Sequence, residues 1–293
     1  RVAASSEHSK IKIFRRIYMN QEVIIEQIKE KRSFLCVGLD IDLDKIPRHL
    51  LSETDPVFSF CKAIIDSTSS YAIAYKPNIA FFEYYGSKGW KSLEKVSNYL
   101  STNYPNIFTI ADAKRTDIGN TASRYAKAFF ENLSFDSITL SPYMGKDSVE
   151  PFLKFKNKHA ILLALTSNEG AEDFQFSESS ETCLYEKVIQ VSKTWKNSER
   201  IMYVVGANRL NYLKKIRKIT PDSFLLIPGV GAQGGSLREV AFSGMNDQCG
   251  LIVNSSRQIL YSNQGLGFDI SAKNEAKKLQ KIMEEELIKK GII

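Results

Sequence analysis

The stretch Phe108-Thr109-Ile110-Ala111-Asp112-Ala113-Lys114-Arg115-Thr116-Asp117-Ile118-Gly119-Asn120-Thr121 changes character halfway along. Residues 108–114 are β-rich and mostly apolar, the pattern of a parallel strand covered on both faces. Beyond them Ile118, Ala122, Tyr125, Ala126, Phe129 and Leu133 recur at helical spacing, which predicts a helix carrying all six on one face. The charged residues gather at the junction. A strand, a polar turn and an amphipathic helix form one β/α unit.

The same unit recurs along the chain. Strands are expected at 34–40, 72–78, 108–114, 137–141, 160–167, 201–206, 224–229 and 250–254, with successive polar ends 23 to 39 residues apart. Each gap holds a loop, a helix and the next strand. Ala272, Ala276, Leu279, Met283 and Leu287 mark a last helix after the eighth strand. Eight units without a Pro/Ser linker predict a single-domain α/β fold, a (β/α)8 TIM barrel over residues 17–293. The alternative, an open doubly wound sheet, rarely reaches eight regular units without an antiparallel edge. Residues 1–16 are polar, basic and aperiodic, and read as a disordered arm, a processed targeting segment or an expression remnant.

Composition narrows the classes. The chain has 293 residues, 43% of them hydrophobic, with 8 Pro and 16 Gly, so collagen-like and low-complexity classes are excluded. A chain of this length buries about 75% of its unfolded surface. Lys and Arg total 40 against 33 Asp and Glu, and the net charge of +7 favours an anionic partner. The lysines are scattered along the whole chain rather than gathered in blocks, which suits a phosphorylated metabolite better than nucleic acid. No apolar run approaches the ~20 residues of a membrane helix. Cys36, Cys61, Cys183 and Cys249 form no C-x-x-C pair, which predicts reduced thiols and a cytoplasmic protein.

In a TIM barrel the functional groups belong at the C-terminal ends of the strands. Asp40 ends the first strand, Lys76 and Asn78 the second, Asp112, Lys114 and Asp117 the third, and Ser167 and Asn168 the fifth. A plain structural reading takes Asp112 and Lys114 as an ion pair on one strand face and Asp117 as a helix N-cap. Lys76 argues for more. Two lysines and two aspartates at one mouth keep each ammonium protonated. A fixed ammonium can protonate a carbanion, and a fixed carboxylate can repel a substrate anion, which suits decarboxylation without a cofactor. Pro228 opens the glycine-rich run to Gly235, which contains Gln233, and Arg257 follows the eighth strand. That position predicts a phosphate cradle. His8, His49 and His159 stand apart, so no metal site is expected. Asp42 and Asp44 read as solvated turn residues, Trp90 and Trp195 as packing residues, and the acidic loop 168–181 as either a lid or a solvated excursion, with the lid favoured.

The motif Asp112-x-Lys114-x-x-Asp117-Ile118-x-Asn120-Thr121 resembles the D-x-K-x-x-D-I-x-x-T signature of the orotidine 5′-phosphate decarboxylases. The likeness extends through Val37-Gly38-Leu39-Asp40, Lys76-Pro77-Asn78, Thr166-Ser167-Asn168, the run from Pro228 to Gly235, and Arg257. The long loops and the Lys-Pro-Asn form are similar to the branch found in parasitic protists and some bacteria. The resemblance implies cofactor-free conversion of orotidine 5′-monophosphate to uridine 5′-monophosphate (UMP) and CO2, the last step of de novo UMP synthesis. It implies Lys114 as proton donor to C6, Asp112 beside the leaving carboxylate, and Lys76 as the link in the charge network. It implies a homodimer in which Asp117, Ile118 and Thr121 cross to the neighbouring site. Asp40 and Asn78 become ribose or network contacts and Ser167 the pyrimidine contact. Pro228 joins the substrate contacts, Gln233 and Arg257 grip the phosphate, and Ser256 supplies a backbone donor where many relatives have glycine.

Two rivals compete. One is a metal-dependent sugar-phosphate decarboxylase or aldolase sharing D-x-K-x-x-D, which Lys76 and the Ile118–Thr121 continuation oppose. The other is a non-enzymatic phosphate- or nucleic-acid-binding protein, suggested only by net charge.

Overall fold

The computed structural model describes residues 19–179, 182–230 and 236–293, so segment 1–16 lies outside the described residues. Eight parallel strands close into a barrel: β1 (Leu35–Leu39), β2 (Ala72–Pro77), β3 (Phe108–Arg115), β4 (Ser137–Leu140), β5 (His159–Leu165), β6 (Ile201–Val205), β7 (Leu225–Pro228) and β8 (Leu251–Ser255). They match the expected strands to within two residues at either end. Closure excludes the open sheet. The seam pairs Leu35 with Val253, Cys36 with Asn254 and Val37 with Ser255. All residues of β1, β2, β4, β6 and β8 are buried, as expected of strands with a packed interior on one side and helices on the other.

Local chemistry starts and stops the outer helices. Helix Pro56–Thr68 begins where Asp55 Oδ1 accepts the Phe58 N–H at 3.0 Å, with Pro56 in the first turn. Helix Phe268–Lys290 ends at Gly291, whose φ of 76° suits a glycine cap. Its Ala272, Ala276, Leu279, Met283 and Leu287 are all buried, and Phe268 stacks on Phe60 at 5.3 Å.

The helix after β3 differs in one respect from the sequence expectation. Gly119–Lys127 is α-helical and Ala128–Asn132 continues as a π-helical turn, with Ala122, Ala126, Phe129 and Leu133 buried. Ile118 does not share that face. It precedes the helix in an extended conformation (φ −97°, ψ 155°) and is 53% exposed.

Arg217 holds the rim opposite the strand C-termini. Its guanidinium donates to the carbonyls of Gly244, Thr220, Ser223 and Gly250 at 2.6–2.8 Å. Cys36, Cys61, Cys183 and Cys249 are free thiols, and no helix among the described residues is long and apolar enough to cross a membrane.

Candidate active site

The C-terminal ends of β1, β2, β3, β7 and β8 enclose a cavity of about 180 Å³. Asp40, Lys76, Asn78, Asp112, Ser167, Pro228, Ser256 and Arg257 line it, joining predicted residues scattered over more than 200 positions of sequence. Gln233 lies outside the described residues.

Asp112 is the hub. Its Oδ2 accepts from Lys76 Nζ at 2.7 Å and its Oδ1 from Lys114 Nζ at 2.6 Å. The Lys76 side chain is 5% exposed and that of Lys114 50%, so one ammonium is sealed into the wall and the other is open to the rim. Burial disfavours charge on Lys76, but the carboxylates of Asp112 and Asp40 outweigh it and raise its pKa above that of an ordinary lysine. Burial likewise disfavours charge on Asp112, and Lys76 and Lys114 together hold it well below the usual carboxylate range. Lys76 and Asp112 are therefore both charged at neutral pH.

The meeting of Asp112 and Lys114 has a cause that strand alternation does not supply. The β3–β4 register shifts between Ala111 and Arg115, and Lys114 takes a left-handed φ of 49°. This conformation costs a non-glycine residue roughly 1–2 kcal/mol. The Lys114 N–H donates to Thr139 Oγ1 at 2.9 Å, and Thr139 Oγ1 donates to Asp112 Oδ1 at 3.1 Å. Arg115 then pairs with Glu83 and fixes the turn that follows.

Asp40 is placed by Tyr261, whose hydroxyl donates to the Asp40 carbonyl at 2.7 Å and accepts from the Asp42 N–H at 2.8 Å. Asp40 Oδ1 is buried with no hydrogen-bond partner among the described residues, although it borders the cavity. Such an oxygen is a strong acceptor held ready for an incoming donor. Asn78 commits its carboxamide oxygen to the Ala80 N–H at 3.3 Å, so its amide group is what it can offer a ligand.

Gly38 of the Val37–Asp40 motif faces β8. A β-carbon there would lie 1.9 Å from Ser256 Oγ and 2.9 Å from Asn254 Oδ1. Only glycine admits the end of β8 this closely. Asn254 Nδ2 donates to Ser256 Oγ at 3.2 Å, and Ser255 Oγ is buried without a partner among the described residues. Ser256 precedes the short helix Arg257–Leu260, and Arg257 is exposed at its start with no carboxylate partner among the described residues.

Ser167 rides on a stapled loop. Its carbonyl accepts from Asn208 Nδ2 at 2.9 Å. Arg209 donates to the carbonyls of Thr166 and Asn168, each at 3.2 Å, pairs with Glu172 at 2.8 Å and lies over the Phe176 ring at 5.1 Å. The segment expected as a lid forms a short helix, Ala171–Phe174, and two-residue strands, Glu178–Ser179 and Thr182–Cys183.

Lys114, Asp117, Ile118 and Thr121 do not line this cavity, although Lys114 reaches its wall through Asp112. Asp117 Oδ1 accepts the N–H of Ile118 at 2.7 Å rather than capping the helix, so the N-cap reading does not hold. Ile118 and Thr121 are exposed.

The family is decided by likeness to known proteins. A family model described as "Orotidine 5'-phosphate decarboxylase / HUMPS family" matches residues 33–266. The chain belongs to that family. It is 63% identical over 267 residues to an orotidine 5′-phosphate decarboxylase of Flavobacterium johnsoniae, covering 91% of this chain and 98% of the relative. It is 62% identical over 271 residues to one of Christiangramia forsetii, covering 92% and 100%. Among solved structures, an OMP decarboxylase of Leishmania donovani superposes with a TM-score of 0.76 at 34% identity, covering 89% of this chain and 98% of that one.

Sequence reasoning missed Thr139, Tyr261 and Arg209 within this family site. A hydroxyl between Ile138 and Leu140, close to the C-terminal end of its strand, was a readable sign of Thr139. Nothing local marks Tyr261 or Arg209.

Proposed function

We propose that the cluster around Asp112 decarboxylates orotidine 5′-monophosphate to UMP and CO2, the last step of de novo UMP synthesis, by means of its own charges. Arg257, the backbone at Ser256 and the 228–235 run, with Gln233, take the phosphate, and charge-assisted contacts suit that role. Asp40 accepts from ribose hydroxyls, Asn78 donates nearby, and Ser167 and Pro228 meet the pyrimidine side. These grips set the C6 carboxylate against Asp112. Two anions in contact are disfavoured, and cleavage of the C6–carboxylate bond removes one of them as CO2 while the electron pair stays on C6. Lys114, already oriented, stabilises that carbanion and transfers an Nζ proton to C6, then regains a proton from solvent. Lys76 keeps Asp112 ionised throughout. Because the charges are fixed beforehand, little reorganisation accompanies the step. Binding energy from the phosphate and ribose is directed to the transition state.

The arrangement supports a homodimer in which Asp117, Ile118 and Thr121 of each copy complete the other copy's site. Ile118 is 53% exposed, and Tyr84, at the end of helix Ile79–Tyr84, and Tyr143 and Met144, after β4, are exposed as well. Large exposed apolar side chains following neighbouring strands favour a self-complementary interface. The four free thiols suit a cytoplasmic setting.

The observation that carries the reading is one carboxylate clamped between a sealed and an open ammonium, beside a second carboxylate with an unused oxygen. Loss of orotidylate absorbance, followed with and without excess EDTA, tests it. Undiminished turnover in EDTA and none in Lys114→Ala are expected. A metal requirement would move the chain to the sugar-phosphate side of the family, and near wild-type turnover in Lys114→Ala would remove Lys114 as proton donor.

A further inference from the structure

We propose that Thr139 is a positioning residue that holds the proton-donating lysine and its carboxylate in register; this rests on the reading of Lys114 as the donor. The strand pairing that would otherwise fix Lys114 is absent at this point. The β3–β4 register slips between Ala111 and Arg115, leaving the Lys114 N–H to bond Thr139 Oγ1 at 2.9 Å instead. The same hydroxyl donates to Asp112 Oδ1 at 3.1 Å, the oxygen that accepts Lys114 Nζ at 2.6 Å. The result is a closed ring: Lys114 backbone to Thr139, Thr139 to Asp112, and Lys114 ammonium to Asp112. One side chain on a neighbouring strand thus ties down both ends of Lys114.

The hydroxyl has few other ways to lie. Thr139 is 1% exposed, and its β-branch restricts χ1. Its strand neighbours Ile138 and Leu140 are fully buried and apolar. Lys114 needs such a restraint, because at φ 49° a non-glycine residue stays left-handed only when its surroundings enforce it. Thr139 is almost fully buried and its hydroxyl is committed to the Lys114 N–H and to Asp112 Oδ1, so it acts on Lys114 and Asp112 rather than on substrate.

Valine has the shape of threonine without its donor and acceptor. In Thr139→Val the Lys114 N–H loses its acceptor and Asp112 Oδ1 loses a donor, while the phosphate and ribose contacts are untouched. A misplacement of about 1 Å at a reacting group costs roughly 100-fold in rate. The expected result is therefore a fall in kcat of about 30- to 100-fold with KM within about threefold, the signature of an interaction made in the transition state. Thr139→Ser, which keeps both hydrogen bonds, is expected to retain kcat within about threefold.

The experiment measures kcat, KM and thermal unfolding for wild type, Thr139→Val, Thr139→Ser and Lys114→Ala. A folded Thr139→Val with wild-type kcat overturns the inference. So does a folded Thr139→Ser that loses as much kcat as a shape change would, and this arm decides the matter if the valine variant fails to fold. Turnover surviving in Lys114→Ala would instead overturn the donor assignment, which separates the two failures.

Discussion

Replacing Lys76 with Met keeps most of the side chain's volume and removes its charge. The partner lost is close: Lys76 Nζ lies 2.7 Å from Asp112 Oδ2, with the two side chains 5% and 11% exposed. At that separation and an effective dielectric constant near 20, the attraction is roughly 6 kcal/mol. The net loss is smaller, because the desolvation of the ammonium disappears with it and Lys114 still faces Asp112. Breaking one side of a buried pair costs about 3–5 kcal/mol. The pH dependence identifies the source. Asp112 is held below its unfolded pKa, so its contribution is present above about pH 4 and is lost as pH falls toward the folded value. Lys76 is raised, so its contribution is full below the ordinary lysine pKa and is lost only at more alkaline pH. In Lys76→Met the carboxyl reverts toward normal titration, and the gap between the two proteins narrows by about 1 kcal/mol from pH 7 to pH 3. Urea unfolding at pH 3, 5 and 7 measures it. A gap below about 1 kcal/mol at pH 7, or one constant with pH, refutes the reasoning.

Arg257→Ala is expected to raise KM at least about tenfold with a smaller change in kcat, as loss of a charge-assisted phosphate contact predicts; steady-state kinetics check this. Arg209→Ala removes two carbonyl contacts and an ion pair from the Ser167 loop, about 2–3 kcal/mol of local restraint. Hydrogen exchange across residues 168–179 is then expected to accelerate while the barrel strands stay protected, and unchanged exchange would show the staple to be idle. If the proposed homodimer forms with Asp117 crossing to the other copy, mixing Lys114→Ala with Asp117→Ala is expected to restore one intact site per mixed dimer, about a quarter of wild-type activity for random pairing. No recovery after subunit exchange would mean that Asp117 serves its own chain.

The barrel was legible because parallel strands buried on both faces write themselves as apolar runs, and eight such runs at β/α spacing leave few topologies. The cluster was legible where residues lie at strand ends, as Lys76, Asp112 and Asp40 do. Three features were not. The left-handed Lys114 carries no glycine to announce it, and the register slip that produces it exists only once β3 meets β4. Tyr261 reaches Asp40 across 221 positions of sequence, a distance over which no local pattern speaks. Ile118 fits the helical period of its neighbours yet lies outside their helix, since periodicity does not reveal where the first turn begins.

Gly38 has a bearing on folding itself. It makes room for the end of β8, so Asp40 and the Ser256–Arg257 turn face each other across the seam where the first and last strands meet. A nucleotide gripped by both therefore spans the join between distant parts of the chain. It can bind only after β8 has docked, and its affinity is added to the strength of that join. On the proposed contacts, substrate would double as a clasp on the barrel.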